Sequence, residues 1–159
     1  MGAVNRCGYA ALAGRPNVGK STLLNRLIGQ KIAITSHKAQ TTRHALMGIR
    51  SLDGGQILYV DTPGLHLRGG SALNRMLNRT AENVLSGVDV VLLVVQALVW
   101  NAEDDAALQA LKKAGVPVVL VVNKTDLVSP REKLLPYLAE TGERYPFDAV
   151  LPVSARRGD

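Results

Sequence analysis

Cysteine, aromatic residues and long apolar runs are all scarce in this chain. Cys7 is the one cysteine among 159 residues, so no intramolecular disulfide framework can staple the fold. Aromatic residues make up 4% of the sequence, and only Tyr9 and Tyr59 fall in its first half. Few side chains are therefore available there as stacking platforms for unpaired bases. The longest strongly apolar run, Val88 to Val95, is interrupted by Asp89 and falls far short of the roughly 20 residues that span a bilayer. The N-terminus carries no apolar leader. Its Met1-Gly2 start lacks the Ser or Thr that an acylation signal needs at position 6, where Arg6 stands. A cytoplasmic protein is expected.

Acidic residues are scarce only in the first half. Residues 1–80 hold eleven Lys and Arg against two Asp and Glu, whereas residues 81–159 hold eight against eleven, for a net charge of +6. A basic half can face RNA. It can also simply offset bound phosphates, with the remaining cations solvated, and the lack of aromatic residues weighs toward this second account.

The length suits one domain with a sizeable core, and no internal repeat or low-complexity tract interrupts it. Apolar periodicity predicts strands over 9–13, 45–52, 56–61, 88–95, 116–122 and 149–153. It predicts helices over 20–29, 71–86, 102–114 and 130–143. The Gly54-Gly55 turn reads as a hairpin, which makes the 45–52 and 56–61 pair antiparallel. The other strands alternate with helices, so parallel neighbours with right-handed crossovers follow. The expected fold is α/β: a three-layer sandwich with a six-stranded, mostly parallel sheet and one antiparallel edge strand, the architecture into which the P-loop NTPase motif of Gly14 to Ser21 (G-x-x-x-x-G-K-[ST]) fits. Ligand is expected at the C-terminal ends of the strands.

Gly14-Arg15-Pro16-Asn17-Val18-Gly19-Lys20-Ser21 fits the phosphate-loop pattern G-x-x-x-x-G-K-[ST] at every fixed position. It lies between a predicted strand and a predicted helix, the context in which that pattern carries a mechanism. Its glycines let backbone wrap a phosphate, and the loop N–H groups with the helix N-terminus present partial positive charge. Lys20 would reach the β- and γ-phosphates, Ser21 would ligate Mg²⁺, and Thr22 completes the contacting run. Asp61-Thr62-Pro63-Gly64 follows the strand at 56–61, placing a carboxylate where Mg²⁺ is held directly or through water. Gly64 leaves room for backbone to approach the γ-phosphate.

Base identity is read further along. Asn123-Lys124-Thr125-Asp126 closes the strand at 116–122 and matches the N-K-x-D signature of guanine-binding proteins. Asp126 can accept from the ring N–H and the exocyclic amine of guanine, donors that adenine does not present. Ser154-Ala155-Arg156 follows the last strand and reads as the loop whose backbone N–H meets the base oxygen. The Arg157-Gly158-Asp159 that ends the sequence spells an adhesion tripeptide but reads as the end of this loop.

Lys31 to Thr42 and Leu65 to Gly70 lack clear periodicity and adjoin the phosphate site, as the switches of a GTPase would. Thr42 is the chosen switch hydroxyl for Mg²⁺, with Thr41 the alternative; Lys20, Thr42 and Gly64 form the expected catalytic set. Asn17 is a residue type that can help hold K⁺ between phosphates, or can serve as a loop-stabilising hydrogen bond. Leu65 stands where many GTPases place a water-orienting Gln, so water positioning is unassigned. His66 invites a general-base reading, but a side chain on such a loop is more often solvated. Slow intrinsic hydrolysis, hastened by K⁺ or a partner, is expected. A nucleotide-dependent binding module with negligible turnover is the competing class. A P-loop kinase of small molecules is disfavoured by the guanine signature.

These motifs, together with Gln40-Thr41-Thr42-Arg43-His44 and Asp61 to His66, resemble the Era family of bacterial GTPases over nearly the whole chain. The stretch Gly29 to Ser36 and Lys38-Ala39 strengthen the likeness, and Era-like proteins share the apolar residue at Leu65. The resemblance implies a GTP-hydrolysing switch with Mg²⁺ and GTP or GDP as ligands, acting in small (30S) ribosomal subunit assembly and rRNA maturation. It implies contact with small-subunit rRNA and the 30S precursor, mainly through a C-terminal KH domain, and peripheral membrane association. That family's pattern places the KH domain, and a last helix of the GTPase domain, after Asp159. A domain without that helix leaves one sheet face partly uncovered, from which reduced stability or self-association is expected.

Overall fold

The computed structural model describes residues 6–29, 45–62 and 85–159. The expected helix over 71–86 lies almost wholly outside them. Within them, six strands form one sheet: β1 (Arg6–Ala13), β2 (Ala45–Leu52), β3 (Gly55–Asp61), β4 (Val90–Gln96), β5 (Val118–Asn123) and β6 (Ala149–Pro152). The described α-helices are α1 (Lys20–Ile28), α2 (Ala102–Ala114) and α3 (Leu134–Gly142), with short 3₁₀ turns at Thr125–Leu127 and Arg131–Lys133.

The strand order is β2-β3-β1-β4-β5-β6. The β2–β3 pair is antiparallel and the other four pairs are parallel. β1 is flanked by β3 on one side and β4 on the other, so the order reverses at its C-terminal end. Open α/β sheets bind ligands in the crevice at such a point, and the Gly14–Ser21 loop leaves β1 there.

Strand side chains alternate between two cores. Val91, Leu93 and Val95 of β4, with Val118, Leu120 and Val122 of β5, pack on one face with Leu108 and Leu111 of α2. Ala10, Leu12, Val94 and Val121 pack on the other face with Leu23 and Leu24 of α1. The α1 face is less completely covered toward β6. Leu92 and Val119 are half-buried in register with each other, and Leu151, in register with Val121, is 46% exposed.

Several element ends differ from expectation for local reasons. β1 begins at Arg6, three residues early, because Arg6 to Gly8 continue the ladder against Gly55 to Ile57. β4 starts at Val90 because Asp89 is spent on Tyr9: its carboxylate accepts the Tyr9 N–H at 2.8 Å and its own N–H donates to the Tyr9 carbonyl. β5 starts after Pro117, which has no N–H for the ladder and accepts from Val91 N–H instead. The helix expected over 130–143 divides into a 3₁₀ turn and α3, with Pro136 in the first turn of α3, where its missing N–H costs least.

Candidate nucleotide-binding site

The phosphate loop takes the backbone that its glycines allow. Gly14 has φ 145° and Gly19 φ 98°. A Cβ at Gly14 would run into the Val94 carbonyl, and one at Gly19 into Asn123 Nδ2, so neither position has room for a side chain. α1 starts directly at Lys20 with no side-chain cap and no acidic residue in its first turn. Its first N–H groups and its dipole are thus left for an anion. Ser21 and Thr22 are exposed in that turn. Lys20 Nζ donates to the Gly14 carbonyl at 2.6 Å, which folds its ammonium over the loop. Burial holds the Lys20 pKa below its ordinary value of 10.5, and the nearby Asp61 carboxylate partly offsets this.

Asp61 ends β3, and its Oδ1 accepts the Thr62 N–H at 2.8 Å. Thr62 is fully buried and its hydroxyl donates to the Leu12 carbonyl at 2.9 Å, which pins the end of β3 to β1. Among the described residues no group of three or more His, Cys, Asp and Glu could hold a metal by itself. This donor set fits Mg²⁺, which commonly takes one or two protein oxygens together with substrate phosphates and water. Ser21 and Asp61 are the candidate ligands described here.

The Asn123–Asp126 segment is tied directly to the Gly14–Ser21 loop. Asn123 is 2% exposed. Its Nδ2 donates to the Val18 carbonyl at 2.9 Å, and its Oδ1 accepts the Ala155 N–H at 3.0 Å. Lys124, at φ 63°, sends Nζ to the Asn17 carbonyl at 2.7 Å. Thr125 donates its hydroxyl to the Val153 carbonyl at 3.0 Å. The Ser154 hydroxyl donates to Asp126 Oδ1 at 2.8 Å and holds that carboxyl below its usual range. Four chain segments therefore meet at one end of the sheet: 14–22, 61–62, 123–126 and 154–156. The exposed Asn17 side chain makes no hydrogen bond among the described residues; the tied atom of Asn17 is its carbonyl.

Thr41, Thr42, Pro63, Gly64, Leu65 and His66 lie outside the described residues. Two site features had no motif to announce them. Arg15 pairs with Asp104 of α2, and Arg26 of α1 donates to the 154–156 turn. Each joins residues 89 to 130 positions apart, which no local spacing reports.

Fold and site together define a P-loop nucleotide-binding domain of the GTPase class. Residues 9–124 match the model of the 50S ribosome-binding GTPase family, and the chain belongs to that family. Its relatives include GTPase Era of Actinobacillus pleuropneumoniae serotype 5b, 49% identical over 96% of this chain. The chain spans about half the length of the curated relatives it matches (50% of that Era). Among solved structures it is similar to Era in complex with MgGDPNP and nucleotides 1506–1542 of 16S ribosomal RNA. That likeness has a TM-score of 0.76 and 36% identity, and covers 96% of this chain and 52% of that one. An Aquifex aeolicus Era variant bound to GDP·AlF₄⁻ matches with a TM-score of 0.75 and 36% identity, over 96% of this chain and 52% of that one.

Proposed function

We propose that this chain is the Mg²⁺-dependent, GTP-binding and GTP-hydrolysing switch of an Era-type protein that serves small-subunit ribosome maturation. The observation that carries the reading is the position of Asn123. One buried side chain joins the phosphate loop to the base-reading turn, beside an Asp126 kept ionised by Ser154. The Era–16S rRNA complex supports an RNA partner for the longer protein. A KH domain beyond this chain would make that contact, and membrane association and self-association belong to the same set of proposals.

The α1 N-terminus and the phosphate-loop N–H groups bind the phosphates, and Lys20 moves from the Gly14 carbonyl to a phosphate oxygen. Asp126 accepts the guanine donors. Mg²⁺, when bound, neutralises charge on the phosphoryl oxygens. Ser21, Asp61 and Thr42 are its proposed ligands. K⁺ is a second cation to test, since the Asn17 side chain is exposed and makes no hydrogen bond among the described residues.

The test is a labelled-GDP titration with Mg²⁺, competed by GTP and separately by ATP. Displacement by GTP alone supports the site, and equal displacement sinks base selection by Asp126. Single-turnover hydrolysis in K⁺ and in Na⁺ then separates an enzyme from a binding module. GTP that stays intact in both salts would leave only binding.

A further inference from the structure

Arg26 lies on the outer side of α1, beyond the last residue of the phosphate-loop signature. Its side chain is nevertheless committed. Nε donates to the Ala155 carbonyl at 3.0 Å and Nη2 to the Arg156 carbonyl at 2.8 Å. Gly158, at φ 83°, packs on the same group, where a Cβ would stand 3.2 Å from Nη1. A planar guanidinium spanning two successive carbonyls fixes two peptide planes at once.

Those planes belong to the turn after β6. Its start is held from the end of β5 and the 3₁₀ turn after it, by Asn123 on the Ala155 N–H and by the Ser154 hydroxyl on Asp126. Inside the turn, the Ser154 carbonyl accepts from the N–H groups of Arg157, Gly158 and Asp159. The Arg157 N–H shares its peptide plane with the Arg156 carbonyl, so the turn itself already holds that plane. The Ala155–Arg156 plane, which carries the Arg156 N–H, is held among the described residues by Arg26. A bland alternative exists, because a cation in the last turn of a helix stabilises that helix through its dipole. The dipole account does not explain a fork on two carbonyls of another segment.

We infer that Arg26 is a positioning residue for base recognition. It sets the depth of the 154–156 turn, and so whether the Arg156 N–H, which shares a peptide plane with the Ala155 carbonyl, reaches the oxygen of a guanine base. The inference rests on the guanine-binding reading above. Donors of this kind act only when their supporting contacts hold them to within a fraction of an ångström.

The test compares four probes on the wild-type, Arg26→Ala and Arg26→Lys proteins. GDP and inosine diphosphate both carry the base oxygen. 2-Aminopurine nucleoside diphosphate lacks it, and ADP reports overall selectivity. Arg26→Ala is expected to weaken GDP and inosine diphosphate alike by up to about tenfold, the scale of one lost neutral hydrogen bond to the base oxygen. The 2-aminopurine nucleotide should be left nearly unchanged. The ratio of GDP to 2-aminopurine affinity therefore falls, while the ratio of GDP to inosine diphosphate, set by Asp126, holds. Arg26→Lys, a single ammonium without the fork, should recover part of the loss. Equal weakening of all four probes would reduce Arg26 to a helix staple and overturn the inference. So would unchanged ratios in a wild-type background that prefers GDP to ADP. A wild type without that preference would remove the guanine-site reading and this inference with it.

Discussion

Arg15 Nε lies 3.3 Å from Asp104 Oδ2, and the Asp104 side chain is fully buried. The same oxygen accepts the Asn101 N–H at 2.9 Å and completes a capping box at the start of α2. The other oxygen, Oδ1, is buried with no hydrogen-bond partner among the described residues. Burial raises the Asp104 pKa above its usual value of 3.8, against the pull of the Asn101 N–H and Arg15. Removing one partner of such a pair leaves an uncompensated buried charge, at a cost of about 3–5 kcal/mol. Arg15→Ala is therefore expected to lose stability on that order at pH 8. An acid with a raised folded pKa takes up its proton on folding, so stability rises as pH falls from that pKa toward 3.8. The Arg15→Ala deficit should shrink at pH 5, and Arg15→Ala with Asp104→Asn should regain most of it. Urea midpoints at the two pH values check this; a deficit independent of pH would clear Asp104 of the role.

Lys20 gives a second pH dependence, in binding rather than folding. Its folded pKa is below 10.5, chiefly because of burial. Between that lowered value and 10.5, the folded chain holds its Lys20 proton less tightly than the unfolded chain does, so stability rises with pH across that window. Phosphate affinity runs the other way, because the anion needs the ammonium. GDP affinity should fall as pH rises through the lowered Lys20 value, with proton uptake on binding. Calorimetry in buffers of different ionisation enthalpy measures that uptake. Lys20→Arg, which cannot deprotonate in this range, should abolish it. Uptake that persists in Lys20→Arg would assign the proton elsewhere.

Asp126 should set the choice of base. Asp126→Ala removes an ionised acceptor for two donors, and charge-assisted hydrogen bonds contribute about 1.5–3 kcal/mol each. GDP affinity should drop by about a hundredfold or more, with ADP affinity nearly unchanged. Competition binding with both nucleotides reads the ratio. A proportional loss for ADP would point to collapse of the 123–126 segment instead.

The uncovered strip of sheet around Leu151 predicts stickiness. Exposed apolar strips attract partners or one another. Leu151→Glu should reduce dye binding to exposed apolar surface and any concentration-dependent sedimentation of this chain. It should change stability by no more than about 0.5 kcal/mol, as for most exposed positions. Unaltered dye binding would place the apolar surface elsewhere.

The elements that position the site were legible because their signals are local. β1, the phosphate loop and α1 announce themselves within twenty residues through glycine spacing and apolar period. The Asn123–Asp126 segment does the same at the end of β5. Element ends were less legible wherever a polar side chain or a proline has a distant partner, as at Asp89 with Tyr9 and Pro117 with Val91. Least legible were Arg15 and Arg26. Arg15 lies in the phosphate-loop signature and Arg26 in the predicted helix over 20–29, and the pairing of each forms only once α2 or the last turn arrives beside it.

The two bonds of Asn123 also bear on how a nucleotide leaves. Val18 belongs to the loop proposed to grip phosphate, and Ala155 to the turn proposed to read the base, yet both hang on one carboxamide. On that proposal, grip on the two ends of the nucleotide is mechanically shared. A partner that shifted β5 by a small distance at its C-terminal end would loosen both together, and would speed release without touching either end of the ligand.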